Sequence, residues 1–157
     1  MTADWSVQIH ALDSAIWEMG EAFKGLGDED VWRRPHPRLL SVGELAAHVA
    51  YWESVSFLGE GHESPLVDRV ARYYPVTVGE PIAGGLGAEA VIKEVERIHL
   101  ACMEAFRTLS PSPEEPNPYR EGWTWATLVE YQAFHIAYHT GQMYSVRHLL
   151  GHETVDN

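Results

Sequence analysis

Apolar residues return along this chain every three or four positions, and that rhythm restricts the fold more than any other feature. From Trp5 through Ile9, Leu12, Ile16, Met19 and Phe23 to Leu26 the steps alternate four and three, laying one apolar stripe along a helix. Gly25 and Gly27 punctuate its end. A second full stripe passes through Ala88, Val91, Val95, Ile98, Cys102, Ala105 and Leu109. SPSPEEPNP follows it, and those prolines cannot continue a helix. Two further segments carry the same period. SVGE, Ser41 to Glu44, is a capping box that opens a helix whose stripe runs Leu45, His48, Trp52, Val55. The last helix starts near Thr124, a suitable N-cap, and ends at Gly151, with the stripe Leu128, Gln132, His135, His139, Gln142, Val146, Leu149 and Tyr131 alongside.

Four helices in 157 residues predict an all-α, four-helix bundle, one domain over residues 1–157. The connections are uneven. GDEDVWRRPHPRLLS joins the first two helices, and the much longer stretch from Leu58 to Gly87 joins the second to the third. A link of that length allows a crossover, so that helices two and three run parallel. Within it, Ser64 and Pro65 of SPLVDRVARYYP read as cap and first residue of a short extra helix. The glycines of GEPIAGGLG lack the order of a phosphate cradle.

Charge and composition exclude several classes of partner. A formal net charge of −12 opposes nucleic acid, whose phosphates call for clustered Lys and Arg. No run approaches the roughly 20 apolar residues of a membrane span. MTADWSVQIH lacks the basic and apolar blocks of a secretory signal, and a single cysteine, Cys102, agrees with a reducing cytoplasm. Cys102 sits in a stripe slot and reads as a small packing residue.

The informative anomaly is polar. In helices one and three the stripe is almost wholly apolar, whereas helices two and four place His48, His135, His139 and Gln142 in equivalent slots. Leu128 and Leu149 flank the polar residues of the last stripe, which turns that face inward. A buried imidazole without partners costs about 1–3 kcal/mol for each unsatisfied group. Hydrogen bonds to one another, or to Tyr51, Tyr131, Tyr138 or Glu44, are one way to satisfy them. A shared metal ion is the other, and three histidines in core slots favour it. Cβ atoms four residues apart on a helix are about 5–6 Å apart, so His135 and His139 can converge on one ion. His48 from the facing helix completes a three-nitrogen set with a position left open, the pattern of catalytic zinc-type sites. Gln142, one turn beyond His139, would orient a ligand or hydrogen-bond a ligand histidine, or else be a polar plug against a neighbouring helix.

Other metal patterns fail. A di-iron carboxylate bundle needs Glu-x-x-His on two helices, but Glu44 stands four residues before His48 and Glu130 five before His135. HExxH and GxSxG are absent. His148 and His152 are placed in solvent, His10 and His99 lie off their stripes, and His36 and His62 lack partners at ligand spacing. Trp52 is positioned to wall the metal pocket. Arg33, Arg34, Arg38, Arg120 and Arg147 are available to an anionic substrate, with none singled out.

WRRPHPRLLSVGELAAHVAYWE and YQAFHIAYHTGQMYSVRHLL resemble the DinB-like, YfiT-type superfamily of bacterial four-helix proteins. The shared features are a Trp- and Pro-containing loop before a Ser-capped helix with an internal His, and His-x-x-x-His-x-Gly-Gln on the last helix. The resemblance runs from Trp5 to Gly151. It implies an up-down-down-up bundle, often a homodimer, that binds one divalent metal through three histidines, here His48, His135 and His139. It also implies metal-dependent transferases or isomerases that use low-molecular-weight thiols such as bacillithiol, mycothiol or glutathione.

The expectation is therefore a cytoplasmic enzyme that holds a divalent transition metal (Zn, Ni or Fe) and activates a low-molecular-weight thiol against an electrophilic small molecule. A hydrolase using metal-activated water shares the same ligands, and a non-catalytic metal-binding or stress-response protein is the alternative from another class. The Pro-rich loop before the last helix and the 58–87 segment are placed to shape a substrate pocket.

Overall fold

Where the stripes lie, helices form. A computed structural model describes residues 4–67 and 85–153, all helix and loop apart from one isolated bridge. The helices are α1 (Ser6–Phe23), α2 (Asp28–Val31), α3 (Val42–Leu58), α4 (Ala88–Leu109) and α5 (Trp125–Leu149). The capping box is formed: Ser41 Oγ accepts from the Glu44 N–H at 3.2 Å, and Glu44 Oε2 accepts from the Ser41 N–H at 2.7 Å. Thr124 caps α5 by accepting from the Thr127 N–H. Beyond α5, Gly151 takes a positive φ of 90°, which a side chain would resist.

The four long helices close a ring, α1 against α5, α5 against α3, α3 against α4 and α4 against α1. Their contacts show relative direction. Glu18 meets Tyr144 and Ala22 meets Arg147, so α1 and α5 advance together. Glu53 meets His99 and Phe57 meets Phe106, so α3 and α4 advance together. His48 meets His135 while Ser56 meets Gln132, so α3 and α5 run oppositely. The parallel pair α3 and α4 is joined by the long connection. Ser64 Oγ there accepts from the N–H groups of Leu66 and Val67, as a cap would, and the rest of the expected extra helix lies outside the described residues.

The first connection is more ordered than its length implies. It folds into α2, and the Trp32 ring lies so close to Gly43 that an added Cβ would sit 2.8 Å from it. Trp32 Nε1 donates to the Leu86 carbonyl, and Asp28 accepts from the Ala88 N–H at the start of α4. This loop thus ties the entry of α3 to the entry of α4.

Burial corrects the stripes in detail. The deep face of α3 is Ala46, Val49, Ala50, Glu53 and Phe57, whereas His48, Trp52 and Val55 are half-buried at its edge. In α5 the deep line is Leu128, Gln132, Ile136, Met143 and Val146. Leu109 and Leu149, at the last turns of their helices, face solvent. The largest departure is His99. It is buried rather than off the core, because Glu53 Oε1 lies 2.6 Å from its Nδ1 and Asp13 Oδ1 lies 2.9 Å from its Nε2. Burial alone would lower its pKa, but the two carboxylates outweigh this and raise it. His152 is likewise not left to water, since its Nε2 lies 2.6 Å from Asp30 Oδ2.

Candidate metal centre

α3 and α5 cross with their edges facing, and each edge contributes histidine. His48 projects from α3, and His135 and His139, one turn apart, project from α5. Each offers a ring nitrogen, and the three nitrogens lie within 4.8 Å of one another. Ring centroids are 5.1 Å apart for His48 and His135, 4.7 Å for His48 and His139, and 4.5 Å for His135 and His139. The trio therefore sits at the border of the core, with His135 buried and the other two partly open.

The alternative of self-satisfaction can be tested bond by bond. His48 Nε2 and His135 Nε2 are 3.2 Å apart, and His139 Nδ1 lies 2.7 Å from Gln142 Oε1. Glu44 is committed elsewhere, to Ser41 and to a two-pronged ion pair with Arg34 at 2.7 and 2.8 Å. Tyr131 stacks on the His135 ring at 5.7 Å, and the Tyr138 hydroxyl accepts from Gln142 Nε2. After all this, His135 Nδ1 is buried without a hydrogen-bond partner among the described residues.

An ion fits the donor set. Two nitrogens each about 2.0–2.1 Å from one metal, at about 90–110°, lie about 2.9–3.4 Å apart. The Nε2 atoms of His48 and His135 already stand at such a separation. Gln142 Oε1 can only accept, so His139 carries its proton on Nδ1 and presents the Nε2 lone pair. Electrostatics agree. Burial, then the charge of His139, lowers the His48 pKa to about 4. Burial, then His139, His48 and Arg120, lowers that of His135 to about 3. Burial also lowers the His139 pKa, against the raising effect of the hydrogen bond it donates to Gln142. All three rings are neutral near pH 7, as ligation requires.

Two pockets flank the trio. One, of about 380 Å³, is walled by Leu39, Leu40, Leu45 and Val146 with Arg38, and reaches His48, His139 and Gln142. The other, of about 310 Å³, is walled by Trp52, Tyr131, Phe134 and Tyr138 with Arg120, and reaches all three histidines. Trp52 thus lines the site as its place one turn beyond His48 implies. Of the five arginines considered, Arg34 is spent on Glu44, Arg33 on Asp30, and Arg147 on the carbonyls of Ala22 and Glu153. Tyr138 is legible in the sequence as a hydrogen-bond candidate for the histidines but not as a wall of both pockets, and Leu39 and Leu40 carry no periodic signal. Among the described residues the other histidines and Cys102 join no such cluster, and Cys102, buried near Glu53, has its thiol pKa pushed up.

No curated protein and no solved structure matches the chain at a significant level. A family model described as the DinB superfamily matches residues 11–143, a span that includes His48, His135 and His139. With that match over most of its length and a helical bundle that brings the three histidines together, the chain belongs to the DinB superfamily.

Proposed function

We propose that this protein is a metalloenzyme that holds one divalent transition metal on His48, His135 and His139 and activates a low-molecular-weight thiol for attack on an electrophilic small molecule. The observation that carries the reading is the convergence of three neutral histidines beside two pockets, with the Nε2 atoms of His48 and His135 already at the spacing of two ligands on one ion. Membership of a metal-binding superfamily supports it.

When bound, a divalent ion would supply Lewis acidity strong enough to make a thiol a nucleophile near neutral pH. The chain's own residues do the rest. Gln142 holds His139 in the tautomer that presents Nε2, and Tyr138 in turn holds the Gln142 amide. Tyr131, stacked on His135, limits the rotation of that ring. The aromatic wall and the leucine wall bound the site on two sides, and each has room for one small reactant.

The test is turnover of an electrophile such as monochlorobimane with bacillithiol, mycothiol or glutathione, using protein purified with its metal. Turnover with at least one thiol, lost on chelation and restored by metal, is the expected result. Metal-dependent ester hydrolysis without thiol turnover would replace the reading with a hydrolase. A stoichiometric metal with neither activity would leave a non-catalytic metal-binding protein.

A further inference from the structure

Arg120 is placed unlike any other arginine described in this protein. In a chain with 23 acidic and 11 basic residues, a guanidinium readily finds a carboxylate. Arg34 does so, and the buried Arg147 donates to two carbonyls. Arg120 is half-buried, yet its guanidinium has neither an ion pair nor a hydrogen bond among the described residues. Its carbon lies 4.4 Å from the centroid of the Trp52 ring and 5.2 Å from that of Trp123. Such contacts satisfy the face of a guanidinium and leave its N–H edge free.

The position is built rather than incidental. Arg120 lies in the Pro-rich connection before α5, where Pro116 and Thr124 form a bridge and the Asn117 N–H donates to the Trp123 carbonyl at 2.8 Å. Buried Asn117 ties this loop to α3 by donating from Nδ2 to the Ser56 carbonyl at 3.1 Å. The loop so fixed sets Arg120 into the pocket that it shares with Trp52, Tyr131, Phe134, Tyr138 and the three histidines. Phe134 and Tyr138 are more than half exposed along this edge, at 60% and 52%, which leaves apolar ring surface for a bound molecule to cover.

We infer that Arg120 is the anchor for a carboxylate, and that this aromatic pocket takes a small molecule bearing a carboxylate on an aromatic or similarly flat apolar body. A planar carboxylate matches the two parallel N–H groups of the guanidinium edge, and the rings of Tyr131, Phe134 and Tyr138 suit a flat body beside it. The assignment of this molecule as a reactant rests on the proposed metal-centred reaction, whereas the binding site itself does not.

The probe is benzoate, with benzamide as the uncharged isostere, titrated by calorimetry into metal-loaded and metal-free protein. The wild type should bind benzoate about tenfold or more tighter than benzamide in both forms. Arg120→Gln should erase that preference, Arg120→Lys should keep a fraction of it because charge remains without the fork, and Arg38→Gln, in the other pocket, should leave it intact. Equal binding of the two probes, or a preference that survives in Arg120→Gln with unchanged circular dichroism, would overturn the inference. Should Arg120→Gln fail to fold, a preference undiminished in Arg120→Lys does the same. Arg120-dependent preference in a protein that takes up no metal would sink the metalloenzyme and keep this site. Metal uptake without that preference would sink this site alone.

Discussion

Replacing Gln142 by leucine removes the acceptor that holds His139. Its Oε1 lies 2.7 Å from His139 Nδ1, and the Tyr138 hydroxyl fixes the other end of the amide. Loss of a partner that orients a metal-bound histidine typically costs about 10–100-fold in metal affinity, which is about 1.4–2.7 kcal/mol. The fold itself should lose less. One hydrogen bond contributes about 0.5–1.5 kcal/mol net, and the added leucine surface beside Leu39, Leu40 and Val146 offsets part of it. The two effects therefore separate: Gln142→Leu should keep one metal per chain, bound about 10–100-fold more weakly, with a melting temperature for metal-free protein close to that of the wild type. Competition against a chromophoric chelator measures the affinity. Gln142→Glu is the control, since a carboxylate still accepts from Nδ1 and adds negative charge near the ion, so it should bind at least as tightly as the wild type. Wild-type affinity in Gln142→Leu, or an equal loss in both variants, would refute the orienting role.

Acid should unfold the metal-free protein by protonating the trio. The unfolded chain takes up these protons near pH 6.5, whereas burial holds His48 near 4 and His135 near 3 in the fold. Stability from keeping them neutral is complete above about 6.5 and is lost as pH falls toward those values, by up to about 1.4 kcal/mol per pH unit for each ring. Urea midpoints should drop between about pH 6.5 and 5, less steeply in His135→Asn, and parallel curves would contradict this. His99 acts with the opposite sign. Its pKa is raised in the fold, so its stability is complete below about 6.5 and is lost as pH rises through the folded value. His99→Asn should flatten the alkaline limb of the same curve, and an unchanged limb would remove His99 as its cause. Asn117→Ala deprives the Ser56 carbonyl, near the end of α3, of its donor and should cost about 1–3 kcal/mol. A melting temperature within about a degree of the wild type would contradict that.

The parts of this structure legible in the sequence are those written in local chemistry. Ser41 and Glu44 announce α3 because a capping box needs only four consecutive residues. The stripe from Trp5 to Leu26 is legible because bulky side chains mark it, and all but Ile9 are buried. In α3 the deep face is Ala46, Ala50 and Glu53, where small size and a charge disguise burial, so the more hydrophobic-looking Trp52 and Val55 mislead. Glu53 and His99 could not be placed from sequence, since each is buried only because the other stands 46 residues away. The histidine trio escaped this limit because two of its members share one helix. Arg120 did not, since its surroundings depend on how a Pro-rich loop lies across α3.

Metal analysis of freshly purified protein tests the central claim most directly. The wild type and His148→Ala should each carry about one divalent transition-metal ion per chain, and His48→Ala, His135→Ala and His139→Ala should each carry none in stoichiometric amount. Unchanged metal content in all three variants, or no metal in a wild type given every candidate ion, would contradict it.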